Sequence, residues 1–391
     1  MNFFTEAKTM LKQNIRDYGM YIALFVIMLT FTIMTNGLFI SSRNISNLLD
    51  ATGYIAVLAV GMTLVIVIRH IDLSVGFAAG FMGAIAAIML SQLGVPVYLT
   101  IPIILVLGIV IGMFNGVLVA SVGIPAFVSS LAAMLIFRGA LLQVTEKTGT
   151  IIVRDKAFNA LGNGYLPSIG EVGGLSLLSL IIGALVILYF VYAEISKRRN
   201  KIKYKFEVPS NQIFALKLVF VSIIIAYVTW ILAGYNGFSW TVVITLIVVA
   251  IYHFLTTKTV LGRHIYAVGS NPEAAHLTGI NVKKITYIVF GSMGMLSALS
   301  GILYTARLQS ATTTAGTLFE LDAIAAAYVG GVSAAGGVGK VTGSIIGAVV
   351  MASLSSGMNL LGVGISYQYM IRGAVLALAV IFDVITRKKR G

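Results

Sequence analysis

One feature leaves this chain little choice of fold. Apolar runs of about 20 residues recur along its whole length, separated by short polar breaks. As a helix, a run of that length matches the hydrocarbon thickness of a bilayer. Inside lipid every backbone N–H and C=O must be bonded within the protein, so such runs are helices rather than open strands. Composition agrees: 58% of the 391 residues are hydrophobic and 10% are charged, against about 25% charged in a soluble domain. The expected fold is an all-α integral membrane protein, with residues 1–391 forming a single transmembrane domain.

Hydropathy places about twelve hydrophobic segments, at 18–36, 46–68, 73–90, 97–120, 124–143, 174–194, 212–233, 240–256, 284–307, 320–334, 340–361 and 366–386. The tenth is too short to cross alone at about 1.5 Å per residue and is expected to be a half-helix or re-entrant piece. Basic residues test the topology. With the N-terminus inside, the inner segments hold Lys8, Lys12, Arg16, Lys197, Arg198, Arg199, Lys201, Lys203 and Lys205. They also hold Lys258, Arg263, Lys283, Lys284 and the tail Arg387-Lys388-Lys389-Arg390, whereas the outer loops hold Arg43, Lys147, Arg154 and Lys156. Both termini are therefore expected in the cytoplasm, in a multi-pass membrane protein. Segment 144–173 is then an extracellular loop, 195–211 a basic cytoplasmic loop and 257–283 a second cytoplasmic loop.

The net charge of +14 follows from this topology and implies lipid, not nucleic acid, as the surrounding partner. The chain has no cysteine, which excludes disulfides, thiolate nucleophiles and cysteine metal sites. Residues 1–17 are polar and basic, and the first apolar run is long enough to span and stay, unlike a cleavable signal. The outer segment 144–173, with Gly149, Gly162, Gly164 and Pro167, reads as a loop with little structure of its own. No soluble stretch is large enough for an enzyme or a nucleotide site, and no cofactor or metal is expected.

"GGVSAAGGVGKVTG" (330–343) fails as a phosphate loop, because Ala334 and Val341 stand where that pattern needs Gly and Ser or Thr. It fails as G-x-G-x-x-G at Thr342. Gly339, Gly343 and Gly347 instead repeat every fourth residue, the spacing of a smooth helix face that admits a close neighbour.

Polar residues inside apolar runs are costly and so are candidates for function. In "RHIDLSVG" (69–76), Asp72 and Ser74 fit two readings. One is a broken helix beside a translocation pathway. The other is a cytoplasmic turn, with Asp72 capping the third span and Arg69 acting as a topology charge. Asn115 sits mid-span, as substrate ligand or as helix glue. Asn359 and Gln368 complete the pathway candidates. Arg138 in "LIFRGALL" and Arg372 in "YMIRGAVL" lie near span ends, where snorkelling to headgroups is the plain reading. These two Arg-Gly-Ala stretches, and "VGFAAGFMGA" (75–84) against "VGKVTGSIIGA" (338–348), point to an inverted repeat with a pathway at its interface.

"GSNPEAAHLTGIN" (269–281) is out of place among such runs. Asn271 suits a helix N-cap, Pro272 the first helical position, Glu273 the positive end of the helix dipole and Gly279 a stop. The expectation is a turn and a half of polar helix in water, presenting the small residues Ala274 and Ala275. An ordinary solvated loop is the plain alternative.

Four stretches then carry a resemblance: "GMTLVIVIRHIDLSVG" (61–76), "GIPAFVSSLAAMLIFRGALL" (123–142), "GRHIYAVGSNPEAAHLTGI" (262–280) and "GGVSAAGGVGKVTGSIIGAVV" (330–350). In this order, with the final "YQYMIRGAVLALAVIFD", the chain resembles permease subunits of the ribose/xylose/galactose branch of bacterial ABC sugar importers. Its length is similar to that of xylose-type or multiple-sugar permeases. The resemblance implies three partners: a separate ATP-binding subunit, an extracellular or periplasmic sugar-binding protein, and a second permease, either a copy of this chain or a close relative. It also implies that 271–279 is the helix that docks on the ATP-binding subunit and couples hydrolysis to opening of the pathway. The rival reading is an autonomous ion-coupled secondary sugar carrier using Asp72. Few carboxylates are expected to be buried, which weighs against it, and it leaves the capped inner helix without a role.

Overall fold

The computed structural model describes residues 15–146, 149–206, 208 and 210–388. Lys8, Lys12, Lys147, Lys389 and Arg390 lie outside the described residues, as do the side chains of Arg16, Arg387 and Lys388. The structure is all-helical apart from two short strand pairs. In chain order the first helices are α1 (Ile15–Met34), α2 (Ser42–Val67), α3 (Val75–Ser91), α4 (Val97–Val117) and α5 (Ala126–Thr145). Then come α6 (Lys156–Asn163), α7 (Leu177–Lys203), α8 (Asn211–Ala233), α9 (Trp240–Lys258), α10 (Val260–Ser270) and α11 (Pro272–Leu277). The last four are α12 (Val282–Leu308), α13 (Phe319–Val329), α14 (Val341–Leu360) and α15 (Ile365–Lys388).

Nine of these helices are long and apolar enough to cross a membrane: α2, α4, α5, α7, α8, α9, α12, α14 and α15. The chain is thus a multi-pass membrane protein. Helix α3 and the Gly19–Met34 part of α1 are shorter apolar helices. Each of the twelve runs read from the sequence coincides with one helix, but only these nine qualify by length and composition. The tenth run forms the 11-residue α13, which stops at Val329 because Gly330 follows and Gly331 takes the left-handed conformation (φ 87°).

Helices α2 and α12 form the axis of the molecule. In their most apolar windows, 89% of α2 and 67% of α12 is buried, against 11% of α7 and α15. Helix α2 packs on α9, α12, α13 and α14, and α12 packs on α3 and α4. Leu58, Met62 and Ile66 of α2 interlock with Phe290 and Met293 of α12, all fully buried.

Three loop readings change. Segment 144–173 is not bare loop: strand β1 (Thr150–Ile152) pairs antiparallel with β4 (Ser310–Thr312), and α6 follows. Phe158 is fully buried, and Asn163 Nδ2 donates to the Ala306 carbonyl at 2.8 Å. A second pair, β2 (Glu171–Val172) and β3 (Leu175–Ser176), ends the segment. The basic stretch 195–211 is mostly helix, since α7 continues to Lys203 with Lys201 and Lys203 in its last turn. Cations favour a helix C-terminus, so the charges extend the helix instead of ending it. Segment 257–283 holds α10 and α11.

The snorkelling reading changes for Arg372, which has partners inside the protein. Arg138 on α5 lies 5.6 Å over the Phe77 ring in the first turn of α3. Arg372 on α15 pairs with Asp322 in the first turn of α13 at 3.3 Å and donates to Ser355 at 2.6 Å. Each arginine touches a short helix, Arg138 through a ring while itself exposed and Arg372 through an ion pair. The two sites correspond if α2–α5 matches α12–α15. In that pairing α3 matches α13, so the likeness of 75–84 to 338–348 joins helices that are not equivalent.

Candidate functional site

Helix α2 ends at Val67 and α3 begins at Val75. Between them Arg69 adopts φ 67°, a left-handed conformation uncommon for a residue with a side chain. Asp72 is 3% exposed. Its Oδ1 accepts from the Ser74 backbone N–H at 2.9 Å and from Ser74 Oγ at 2.6 Å. Asn115 Nδ2 on α4 donates to the same Ser74 Oγ at 3.2 Å. The structure therefore gathers Asp72, Ser74 and Asn115 into one buried chain of hydrogen bonds. Ser74, not Asp72, occupies the N-cap of α3, and Asp72 closes an Asx-type turn over it. Burial raises the Asp72 carboxyl above its ordinary value, opposed by the two bonds from Ser74. His70 is pushed the other way by burial, toward the neutral imidazole, with its ring 5.9 Å from that of Phe290.

The other two pathway candidates lie elsewhere. Gln368 Nε2 donates to Asn359 Oδ1 at 2.8 Å and to the Val363 carbonyl at 2.9 Å. The pair staples the α14–α15 turn and is not joined to the Asp72 cluster.

Carboxylates that sequence reading passed over are buried as well: Asp50 (4% exposed), Glu320 (6%) and Asp383 (5%). The expectation of few buried carboxylates fails on these. Glu320 lies in the first turn of α13, against Gly76 of α3, and its Oε2 has no hydrogen-bond partner among the described residues. A carboxylate inside an apolar run was the available signal, the same one that marks Asp72. Beside it Tyr54, Tyr304 and Phe319 form a ring cluster with centroids 4.9–5.1 Å apart. Among the described residues no three His, Asp or Glu side chains converge as metal ligands.

Gly343 and Gly347 lie on α14 where it crosses α13. A Cβ at Gly343 would stand 2.1 Å from the Gly330 carbonyl oxygen, and one at Gly347 1.9 Å from that of Ala326. The two backbones touch there, which only glycine permits. Gly339 is not part of that face, because α14 begins at Val341; Gly339 packs against Val332 and Val67 instead.

Segment 269–281 folds around its cap. Asn271 Oδ1 accepts from the backbone N–H of Glu273 at 3.0 Å and of Ala274 at 3.1 Å. Pro272 opens α11, Glu273 occupies its first turn, and Gly279 leaves it at φ 86°. The two alanines differ. Ala275 is 4% exposed and joins the core, so it is not a residue shown to the outside, whereas Ala274 is exposed. A 3.6-residue period on a one-and-a-half-turn helix must turn one face inward. The outward face carries Glu273, Ala274, His276 and Leu277, and Leu277 is 87% exposed. Pro272, Glu273, His276, Leu277 and Val282 line a shallow depression there.

The chain matches known proteins along nearly all its length. The family described as "Branched-chain amino acid transport system / permease component" covers residues 44–380. The xylose transport system permease protein XylH of Escherichia coli (strain K12) is 40% identical over 376 residues, covering 96% of this chain and 93% of the relative. XylH of Haemophilus influenzae is 39% identical, covering 96% of this chain and 98% of the relative. The ribose import permease protein RbsC of Haemophilus influenzae is 35% identical, covering 93% of this chain and 91% of the relative. No solved structure matches. Helices of membrane-spanning length, a family match over residues 44–380 and relatives that share nearly the whole chain place it in the family of branched-chain amino acid transport system permease components.

Proposed function

We propose that this chain is the membrane-spanning permease subunit of an ATP-driven ABC importer, translocating a monosaccharide handed over by an extracellular binding protein. The observation that carries the reading is the identity of 40% to a xylose permease over 96% of the chain. A xylose-type pentose or related hexose is the cargo. The permease is not an enzyme, and ATP hydrolysis belongs to a partner subunit. Two permeases, as a homodimer or with a related chain, enclose the pathway in a bacterial inner membrane. Both termini, 195–211 and 257–283 face the cytoplasm, and 144–173 faces outward. In this frame α2–α5 and α12–α15 are the halves of an inverted repeat.

Helix α11 is the coupling helix. Its cap on Asn271, its exit at Gly279 and its exposed Leu277 support that role, because a rigid short helix with one apolar side chain in water suits a groove on a partner. Asp72, Ser74 and Asn115 lie beside the pathway as a gate held by the hydrogen bonds among them.

Co-purification tests the reading. The tagged protein, extracted gently from its host membrane, is expected to retain an ATP-binding subunit in stoichiometric amount. Sugar uptake by the chain alone in proteoliposomes, with no ATPase attached, would replace the importer with the carrier.

A further inference from the structure

Arg69 does more than the topology charge it resembles in the sequence. Its Nε donates to the Gly269 carbonyl at 2.6 Å, and its Nη2 donates to the Ser270 carbonyl. These are the last two carbonyls of α10, and Asn271, the cap of α11, follows at once. A guanidinium is well matched to such an end, since it offers several donors in one plane and meets the negative pole of the helix.

Three further contacts make the place a joint. A Cβ at Gly269 would stand 1.9 Å from the Val67 carbonyl oxygen, so α10 lies directly on the last turn of α2. That same oxygen accepts from the Gly337 N–H at 2.8 Å. The Arg69 side chain runs over Gly336, where a Cβ would stand 2.3 Å from Arg69 Cγ. The left-handed backbone of Arg69 is what turns its side chain out of the α2 axis and toward α10. Three residues on, the chain enters the Asp72–Ser74–Asn115 cluster.

We propose that Arg69 is a positioning residue that ties the α10–α11 junction to the C-terminal end of α2, so that movement of the coupling helix passes to the α2–α3 break. The proposal rests on the docking role of α11 given above. A rigid tie of this kind transmits displacement because α2 is packed on nearly every side and has no slack to absorb it.

The test uses the whole complex in proteoliposomes, with the sugar from a xylose, ribose and galactose panel that the wild-type complex takes up. Ala274→Cys, in this cysteine-free chain, is cross-linked to a single cysteine on the ATP-binding subunit to report docking. Uptake per ATP hydrolysed is compared for wild type, Arg69→Gln and Arg69→Lys. Arg69→Gln is expected to keep the cross-link and the ATPase while uptake per ATP falls roughly tenfold, the scale of about one net hydrogen bond lost at an exposed side chain. Arg69→Lys, with one point donor in place of the fork, falls between. Thermal stability in detergent, which a merely structural contact would lower in step with uptake, is expected to change little. Uptake per ATP within twofold of wild type in Arg69→Gln, with the cross-link present, overturns the proposal. Should Arg69→Gln fail to accumulate, an unchanged ratio in Arg69→Lys overturns it equally. A wild-type complex that gives no cross-link at all refutes the docking of α11 itself, and the linkage falls with it.

Discussion

Leu277 offers the sharpest check on the docking face. It is 87% exposed, at the end of a helix whose opposite side is core. Burying a leucine side chain fully is worth about 1.5–3 kcal/mol at ~25 cal/mol per Å2. Leu277→Ala keeps the Cβ and removes the rest, so about 2 kcal/mol of association energy is lost if a partner covers the residue. That corresponds to about thirtyfold in Kd. The free protein has little to lose, because the side chain touches mostly solvent; the expected change in its own stability is under about 0.5 kcal/mol. The assay is the binding of full-length permease in nanodiscs to its ATP-binding subunit, with thermal unfolding of the free permease measured beside it. Weaker binding at unchanged unfolding temperature supports the argument. Binding within twofold of wild type would mean that no partner covers Leu277, and α11 would lose its apolar anchor. Weaker binding together with a lower unfolding temperature would trace the effect to misfolding and refute the claim that the side chain serves only the interface.

Other variants read different parts of the structure. Ala275→Leu forces a larger side chain into the core under α11, so about 1–3 kcal/mol of permease stability should be lost by thermal unfolding before any partner is added, unlike Ala274→Leu on the outer face. Gly347→Val drives a branched side chain into the Ala326 carbonyl, and since both sides are backbone, α13 is expected to separate from α14, seen as faster proteolysis between residues 330 and 340. Arg372→Met leaves Asp322 without its cation and lowers stability by up to about 3 kcal/mol, less for the part open to solvent, while Arg372→Met with Asp322→Leu recovers most of it. For Asp72 the sign follows from its raised value: the folded state holds the proton more tightly, so this group's contribution is full below the ordinary 3.8 and is lost as pH rises through the folded value. Asp72→Asn keeps the acceptor for Ser74 and removes that loss, so its unfolding temperature should equal or exceed that of wild type at neutral pH, the gap closing on acidification. Uptake that persists in Asp72→Asn argues against a proton carrier, whereas its abolition with the fold intact would revive that reading.

What the sequence determined by itself is local or one-dimensional. Apolar run length set the helices, because a backbone in lipid has one economical way to bond itself. The cap of α11 was legible for the same reason, since Asn271, Pro272 and Glu273 act within four residues of one another. The short tenth helix was legible from its length. The inner course of 144–173 was not, because β1 has its partner more than 150 residues away in β4. Tertiary structure alone decided which of two adjacent alanines faces the core, since propensity treats Ala274 and Ala275 alike. It alone joined Asp72, Ser74 and Asn115 while leaving Asn359 and Gln368 apart, and gave Arg372 partners inside the protein. It alone brought Arg69 against carbonyls 200 residues away in the chain. Hydropathy records what each residue would rather leave behind in water; which neighbour it meets instead is settled only when the helices pack.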